Sequence, residues 1–442
     1  MAQGSHLSAA VVACAILAII GVQAGVRAAS SRPSAAVEPG SQWLPPALGG
    51  GALPGVSGAA SELDGVFCTS AANCWADGYL TSGTVTLGEM LHWDGRTWRV
   101  VPAPNPAGST AHDSNELSAV RCLGARDCWA VGVDSPGGMA EYGEALHWDG
   151  SKWSSVATPQ PGGTESGDVT QLNDLACTAA NSCWAVGEYG TRSGSGAATR
   201  NLVLYWNGGQ WFQVPVTNPD GSEPGRYNAL NAVGCLSVSN CLADGAVGVP
   251  PGAGSPLSGG RNEALHWNGR RWSRLATPDP AGTAGGAGNL LVTLACGSPD
   301  SCWGAGYDGT STPAQTIENQ ILYWNGRKWA TAAAPDPGGS AARALNYVIG
   351  SACSSLRNCW AVGAYQTTGH AVLNQALYWN GTEWSLVSTP DPAGTGKDAL
   401  NALISVRCAS ASACWAVGTF DEPGGHLENE ILYWNGTTWS VW

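Results

Sequence analysis

The residues with the most obvious chemistry are cysteines. Leaving out Cys14, fourteen of the fifteen form seven C-x5-C pairs: Cys68/Cys74, Cys122/Cys128, Cys177/Cys183, Cys235/Cys241, Cys296/Cys302, Cys353/Cys359 and Cys408/Cys414. Their first members lie 54 to 61 residues apart. Zinc sites usually bring closely spaced pairs together as four ligands. Here each pair stands alone in its own segment. Two cysteines flanking a five-residue turn face each other across an antiparallel hairpin, within reach of a disulfide. The even count points to seven local disulfides formed in an oxidising compartment. No metal and no cofactor is implied.

Histidine offers little else. His92, His147 and His266 fill a repeat slot that holds Tyr205, Tyr323, Tyr378 and Tyr433 in other copies. His112, His370 and His426 stand singly. A second group combines aromatic and acidic residues: Tyr79, Asp134, Glu188, Tyr189, Tyr307, Asp308, Tyr365, Phe420 and Asp421. Each follows a recurring CWAVG-type run. Such residues suit a sugar, a peptide or a cation, or else simply seal the ends of sheets.

The elements that position these groups form a repeat. The last copy shows it clearly: Leu403-x-x-Val406-x-Cys408, Cys414-Trp415-Ala416-Val417-Gly418, Ile431-Leu432-Tyr433-Trp434-Asn435-Gly436, then Trp439. A period of this size marks a propeller or a solenoid. Each unit reads as four short strands, a to d. Strand a ends at the first Cys, b is the CWAVG run, c is the [LI]-[HY]-W run, and d starts at the second Trp. Asn-Gly or Asp-Gly between c and d favours the positive φ angles of a tight hairpin. A P-x-P-x-G segment, as in Pro390–Gly394, ends strand d, because proline donates nothing to a ladder.

Strand b is apolar on both faces, since side chains alternate. A lone sheet would leave one face wet. Sheets arranged radially bury both and leave only short edges, whereas a solenoid wants polar caps at its ends. The expected fold is all-β: a seven-bladed propeller of four-stranded antiparallel blades, with one a–b hairpin disulfide per blade. Blades are expected to start near 63, 117, 172, 230, 291, 348 and 403 within a domain spanning 63–442. The paired tryptophans around each c–d turn read as inter-blade packing. Blade 4 departs, with Leu242-Ala243-Asp244-Gly245 in place of WAVG. The recurring pairs Asn262-Glu263, Asn319-Gln320, Asn374-Gln375 and Asn429-Glu430, with Glu89 and Glu144 in register, read as bonding between blades.

Residues 7–26 form an apolar run followed by small residues. Residues 1–29 read as a secretory signal or, uncleaved, a membrane anchor. Residues 30–62 read as a Ser/Pro/Gly/Ala-rich linker. The chain is therefore expected to be secreted or at the cell surface, with membrane contact only through that segment. Its 442 residues carry a net charge of -13 and only 12% charged residues. This balance argues against nucleic acid as a partner, because no basic face neutralises phosphates. With 44% hydrophobic residues the chain builds a core. Trp (22) far exceeds Phe (3), as expected when one motif is copied many times.

The order CWAVG, [LI]-[HY]-W-[DN]-G-x-x-W, P-x-P resembles the kelch/galactose-oxidase class of β-propeller. Gly95-Arg96-Thr97-Trp98 and Gly436-Thr437-Thr438-Trp439 also resemble the Asp-box hairpins of sialidase-type propellers. The repeat is similar to tandem Trp/Cys repeats in exported bacterial proteins. Kelch units carry two glycines after strand b where this chain has one, and the Cys pair is an addition. A galactose-oxidase-like copper site needs two Tyr and two His near the axis, and no residue here matches it, so no catalytic residue is assigned. The b–c and d–a loops are the longest and most varied, and variable loops on a rigid scaffold tend to carry function. The resulting expectation is a non-catalytic module binding protein or glycan through that loop face. The alternative is a carbohydrate-active enzyme or oxidase.

Overall fold

A computed structural model describes residues 59–442, apart from 193–195, 249–258, 311–314, 367–369 and 423–424. The leader expected over 1–29 and the linker up to residue 58 lie outside the described residues. In the first copy strand a is Ala60–Ser70, b is Asn73–Ser82, c is Val85–Trp93 and d is Trp98–Val100. The same antiparallel order recurs to give seven four-stranded units among the described residues: 60–100, 114–155, 168–213, 228–275, 287–332, 345–387 and 400–441. Each strand a starts two to four residues before the position expected from the repeat. Units 5, 6 and 7 are joined by single parallel bridges, Ile317 to Leu345 and Val372 to Leu400. The chain is a β-propeller, and these units are its blades.

Two glycine positions make the blade possible. In the c–d turn, Gly95 and Gly436 have φ of 90° and 97°. The preceding Asp94 Oδ1 accepts the N–H groups of Arg96 and Thr97, both at 2.9 Å. In strand b, the Gly of CWAVG lies against a bulge in strand a, where the register slips by one residue (between Leu63 and Gly65 in blade 1). A Cβ on Gly78 would sit 2.0 Å from the Glu62 carbonyl oxygen, and one on Gly418 2.0 Å from that of Ala402.

All seven expected disulfides are present, each joining register partners of an a–b hairpin. They are Cys68–Cys74, Cys122–Cys128, Cys177–Cys183, Cys235–Cys241, Cys296–Cys302, Cys353–Cys359 and Cys408–Cys414. In blades 3 to 7 the two ends of each bridge differ in burial, whereas in blades 1 and 2 Cys68 and Cys122 are buried as well. The strand-b members Cys74, Cys128, Cys183, Cys241, Cys302, Cys359 and Cys414 are all buried. Each sits in the apolar cluster between neighbouring blades: Cys128 with Leu146 and Trp153, for example, and Cys359 with Leu377 and Trp384. The bridge thus ties the core-facing strand b to strand a.

Blades stack through tryptophan. Trp75 of blade 1 meets Trp148 and Trp153 of blade 2 at 4.9 and 5.2 Å. Trp129, Trp184, Trp303 and Trp360 repeat the wedge at later junctions. In blade 4, Leu242 takes the wedge position and packs with Trp324 and Trp329. The ring closes without a strand shared between the ends. Trp415 of blade 7 lies 4.9 Å from Trp93 and 5.3 Å from Trp98 of blade 1. Trp442 covers the junction, 4.9 Å from Trp93.

A polar ladder reinforces the ring at the opposite end. An Asn in the first half of strand c donates to the Glu or Gln one position later in the next blade: Asn201 to Glu263 (2.9 Å), Asn262 to Gln320 (2.7 Å), Asn319 to Gln375 (2.7 Å), Asn374 to Glu430, and Asn429 to Glu89 (2.7 Å). The same Asn Nδ2 reaches a carbonyl of its own P-x-P segment, as from Asn262 to Pro278 and from Asn374 to Pro390. The ladder stops at blades 1 and 2, where Gly88 and Gly143 replace Asn. Across from Gly143 the partner position is apolar, Leu202. Across from Gly88 it is Glu144, whose two buried oxygens find no partner among the described residues.

Gly88→Asn has room for its Cβ, the nearest atom being 3.5 Å away on Leu117. The new amide should bond Glu144 and raise stability by about 1 kcal/mol, read as a higher denaturant midpoint. Replacing Cys408 and Cys414 together by Ser should lower stability by about 2 kcal/mol, as for a short closed loop, with the blade still folded by circular dichroism.

Candidate functional site

The strand-a bulges create a cavity on the axis. One residue per blade is displaced toward it: Asp64, Ser118, Asn173, Asn231, Val292, Ile349 and Ile404. With the residues that follow them they line a cavity of about 350 Å³ contributed by all seven a strands. All but Asn231 of this bulge ring are buried and form its floor. Behind the floor, Glu62, Gln171, Leu290 and Tyr347 are also buried. The opposite mouth is collared by strand-a cysteines, Cys122, Cys177, Cys235, Cys296 and Cys353, so the hairpin disulfides stiffen its rim. Their strand-b partners Cys128, Cys183, Cys241, Cys302 and Cys359 do not line the cavity, and neither does Cys74 or Cys414. Those sulfurs are scaffold, not ligand-contacting groups.

One wall departs from the repeat. The residue before the first Cys is Ala176, Gly234, Ala295 and Ala352 in blades 3 to 6, but Phe67, Arg121 and Arg407 in the adjoining blades 1, 2 and 7. The Arg407 guanidinium lies over the Phe67 ring at 4.2 Å, and that of Arg121 is 5.7 Å from the same ring. Arg121 is paired: it donates to Asp174 Oδ1 at 2.9 Å and to the Val120 carbonyl at 2.9 Å. Asp174 also accepts the Val233 N–H at 2.9 Å. Burial nevertheless holds Asp174 above the usual carboxylate range, against the pull of Arg121. Arg407 makes no hydrogen bond or ion pair among the described residues, and its buried Nε lacks a partner. Burial, then the like charge of Arg121, push its pKa down to about 10. Across the cavity stand polar groups: Asn231 donates to the Leu291 carbonyl at 2.7 Å, and the Thr293 and Ser351 hydroxyls are 2.9 Å apart.

The aromatic and acidic residues singled out from sequence lie elsewhere. They occupy the far ends of the b strands, on six blades. Strands b and c run further than expected: in blade 1 only Gly83 and Thr84 separate them. Tyr307 is buried, its ring 5.1 Å from Tyr347. Glu188 bonds Arg192, which also bonds Glu141 and Gln171. Tyr189 faces Arg200 at 5.9 Å. Asp134 is buried near Glu144, and Asp308 is buried near Glu318 and Asp336. Tyr79 sits across from Glu62 in register. Tyr365 is half-buried beside Asp391. Phe420 and Asp421 are half-buried on blade 7, with His426 near Asp421. The three repeat histidines brace strand c to the a–b turn: His92 to Asn73 (2.8 Å), His147 to Asp127 (2.9 Å) and His266 to Asn240 (3.0 Å). Phe67, Arg121, Asp174 and Arg407 were missed from sequence. Phe67, Arg121 and Arg407 left a trace as three large residues in a column otherwise filled by Ala and Gly, and Asp174 left none.

No family model and no curated protein matches the chain. Solved structures similar to it include the β-propeller domain of the Trilobed protease from Pyrococcus furiosus, at 9% identity over 86% of this chain and 97% of that one, TM-score 0.45. Another is the fucose-specific lectin from Aleuria aurantia, at 15% identity over 74% and 95%, TM-score 0.40. A third is Chaetomium thermophilum Sqt1 bound to the N-terminus of ribosomal protein L10, at 10% identity over 86% and 95%, TM-score 0.41.

Many carboxyl groups are buried between blades and at the axis. Desolvation raises Glu62 to about 8, Asp77, Glu263 and Asp308 to about 7, and Asp134 and Asp336 to about 6. A carboxyl whose folded pKa is raised stabilises the fold fully below its unfolded value near 4, and that stability is lost as pH rises through the folded value. Burial lowers His92 and His266, which act the other way but are only two groups. Carboxyls held low, such as Asp94 and Asp149, change nothing in this range. The melting temperature should therefore be higher at pH 5 than at pH 8, with the loss beginning near pH 4 and running up through the folded values to about pH 8. A melting temperature that rises over this interval would contradict the buried-acid account.

Proposed function

We propose that the protein is an exported, non-catalytic β-propeller that binds a protein or glycan ligand in its axial cavity. Among propellers, the seven-bladed kelch/galactose-oxidase-like type is the form its repeat resembles. Seven disulfides support an oxidising compartment outside the cytosol. Residues 1–29 fit the leader or anchor that would deliver it there. The carrying observation is the cavity wall. Packing alone asks for Ala or Gly before the first Cys, as four blades show. Phe67, Arg121 and Arg407 break that rule on adjoining blades, facing a polar cavity of about 350 Å³. A closed-floor cavity of this size suits one small ligand or the end of a larger one. The far rim, with Asp308 and Asp421, is the other candidate face.

A second reading, a carbohydrate-active enzyme or oxidase on the same fold, draws on Asp64 and Asp174. These two carboxyl groups from different blades line the same cavity, and glycoside hydrolysis uses such a pair.

Ser405 lines the cavity, so Ser405→Trp should fill it. That variant should lose capture of ligands found on glycan and peptide arrays by at least tenfold. The double charge reversal Asp308→Lys with Asp421→Lys should leave capture unchanged. The reverse pattern would move the binding face to the far rim, and turnover of a captured glycan would favour the enzyme reading.

A further inference from the structure

We propose that Arg407, with Arg121 beside it, binds the carboxylate of an acidic sugar of the uronic-acid class within the axial cavity. The inference rests on reading that cavity as the binding site.

A guanidinium presents five donors and no acceptor. Arg121 already directs its own to Asp174 and the Val120 carbonyl. Arg407 directs none to a described residue, although its Nε is buried. Arg407 as a whole is half-buried, but a polar N–H taken out of solvent without a partner, as its Nε is, is costly and is normally paired. Among the described residues, the one anion that answers this wall is Asp174, already engaged twice. The other carboxyl groups nearby, Asp64 and Asp77, are buried and held toward their neutral form. The wall is thus a local excess of positive charge in a chain whose net charge is -13. Stacking on Phe67 holds the Arg407 plane still, and a fixed planar fork matches the two oxygens of a carboxylate.

The rest of the cavity selects what carries that carboxylate. Asn231, Thr293 and Ser351 place amide and hydroxyl groups opposite the arginines. These suit the hydroxyls of a sugar ring better than an apolar side chain. A cavity of about 350 Å³ admits one or two sugar residues rather than a chain passing through, because its floor is closed.

The test is calorimetric titration of the full chain with sodium D-glucuronate, D-glucose, sodium acetate and a short peptide with a free C-terminal carboxylate. Glucuronate should bind at least tenfold more tightly than glucose, acetate or the peptide. Arg407→Met should weaken glucuronate at least tenfold while leaving glucose within twofold, and Arg407→Lys should recover part of the loss. Should Arg407→Met unfold, the wild-type protein still decides: raising salt from 50 to 500 mM should weaken glucuronate and leave glucose unchanged. Equal affinity for glucose and glucuronate, untouched by salt, overturns the carboxylate inference while the cavity stands as a neutral-sugar site. Tighter binding of the peptide overturns the sugar assignment. Glucuronate binding that survives both Arg407→Met and the filled-cavity Ser405→Trp variant overturns this inference and the cavity reading together.

Discussion

The structure depends on one contact: an indole from strand b, in every blade but the fourth, wedged against two indoles of the next. A four-stranded sheet that is apolar on both faces has no stable existence alone. Each Trp wedge buries one face, and the ring must close for the last face to be covered. Trp415 against Trp93 and Trp98 does this, with Trp442 laid over the seam. No strand is exchanged between the described chain ends, so closure rests on side-chain packing and the polar bonds from Asn429 to Glu89 and Thr419 to Ser61. Where Leu242 replaces Trp, two indoles of blade 5 still provide the apolar wall, which explains how one blade departs from the motif without breaking the ring.

Closure has a consequence at the axis. Seven sheets meeting there must curve, and the bulge in each strand a supplies the bend. The bulge presses the strand-a carbonyl so close to strand b that only glycine fits, which gives the recurring Gly of CWAVG its physical meaning. It also turns one residue per blade inward. The cavity is thus a by-product of ring geometry, and its chemistry is set by which residues occupy two or three positions per copy. Blades 5, 6 and 7 contribute Val292, Ile349 and Ile404 to the bulge ring, while blades 1 to 4 contribute Asp64, Ser118, Asn173 and Asn231. The cavity is accordingly two-sided, polar across one arc and apolar across the other.

The two ends of the propeller are held by different means. At the disulfide end, covalent hairpins and tryptophan wedges surround the cavity mouth. At the other end, an Asn-to-Glu/Gln ladder links blade to blade and lapses at blades 1 and 2. There Glu144 is left without a partner among the described residues. Burying so many carboxyl groups is tolerable only while they hold protons, which ties the stability of the ring to acidic conditions.

Cysteine spacing, Asn-Gly turns and two-faced apolar strands by themselves determined the blade, its four strands, its disulfide and the need for a closed ring, because these follow from local geometry and period. Even the scaffold role of His92, His147 and His266 was legible from their alternation with Tyr. The place of the cavity was not. Spacing paired Cys122 with Cys128, yet only the fold puts the first at the cavity mouth and keeps the second off it. Strands b and c run on past the CWAVG-type and [LI]-[HY]-W runs, so Tyr307 and Asp308 are buried at the strand ends. Phe67, Arg121 and Arg407 lie 54 or more residues apart in sequence and meet only because blades 7, 1 and 2 adjoin around a circle. Sequence separation carries no record of that adjacency; the rotation of each blade about a common axis decides it.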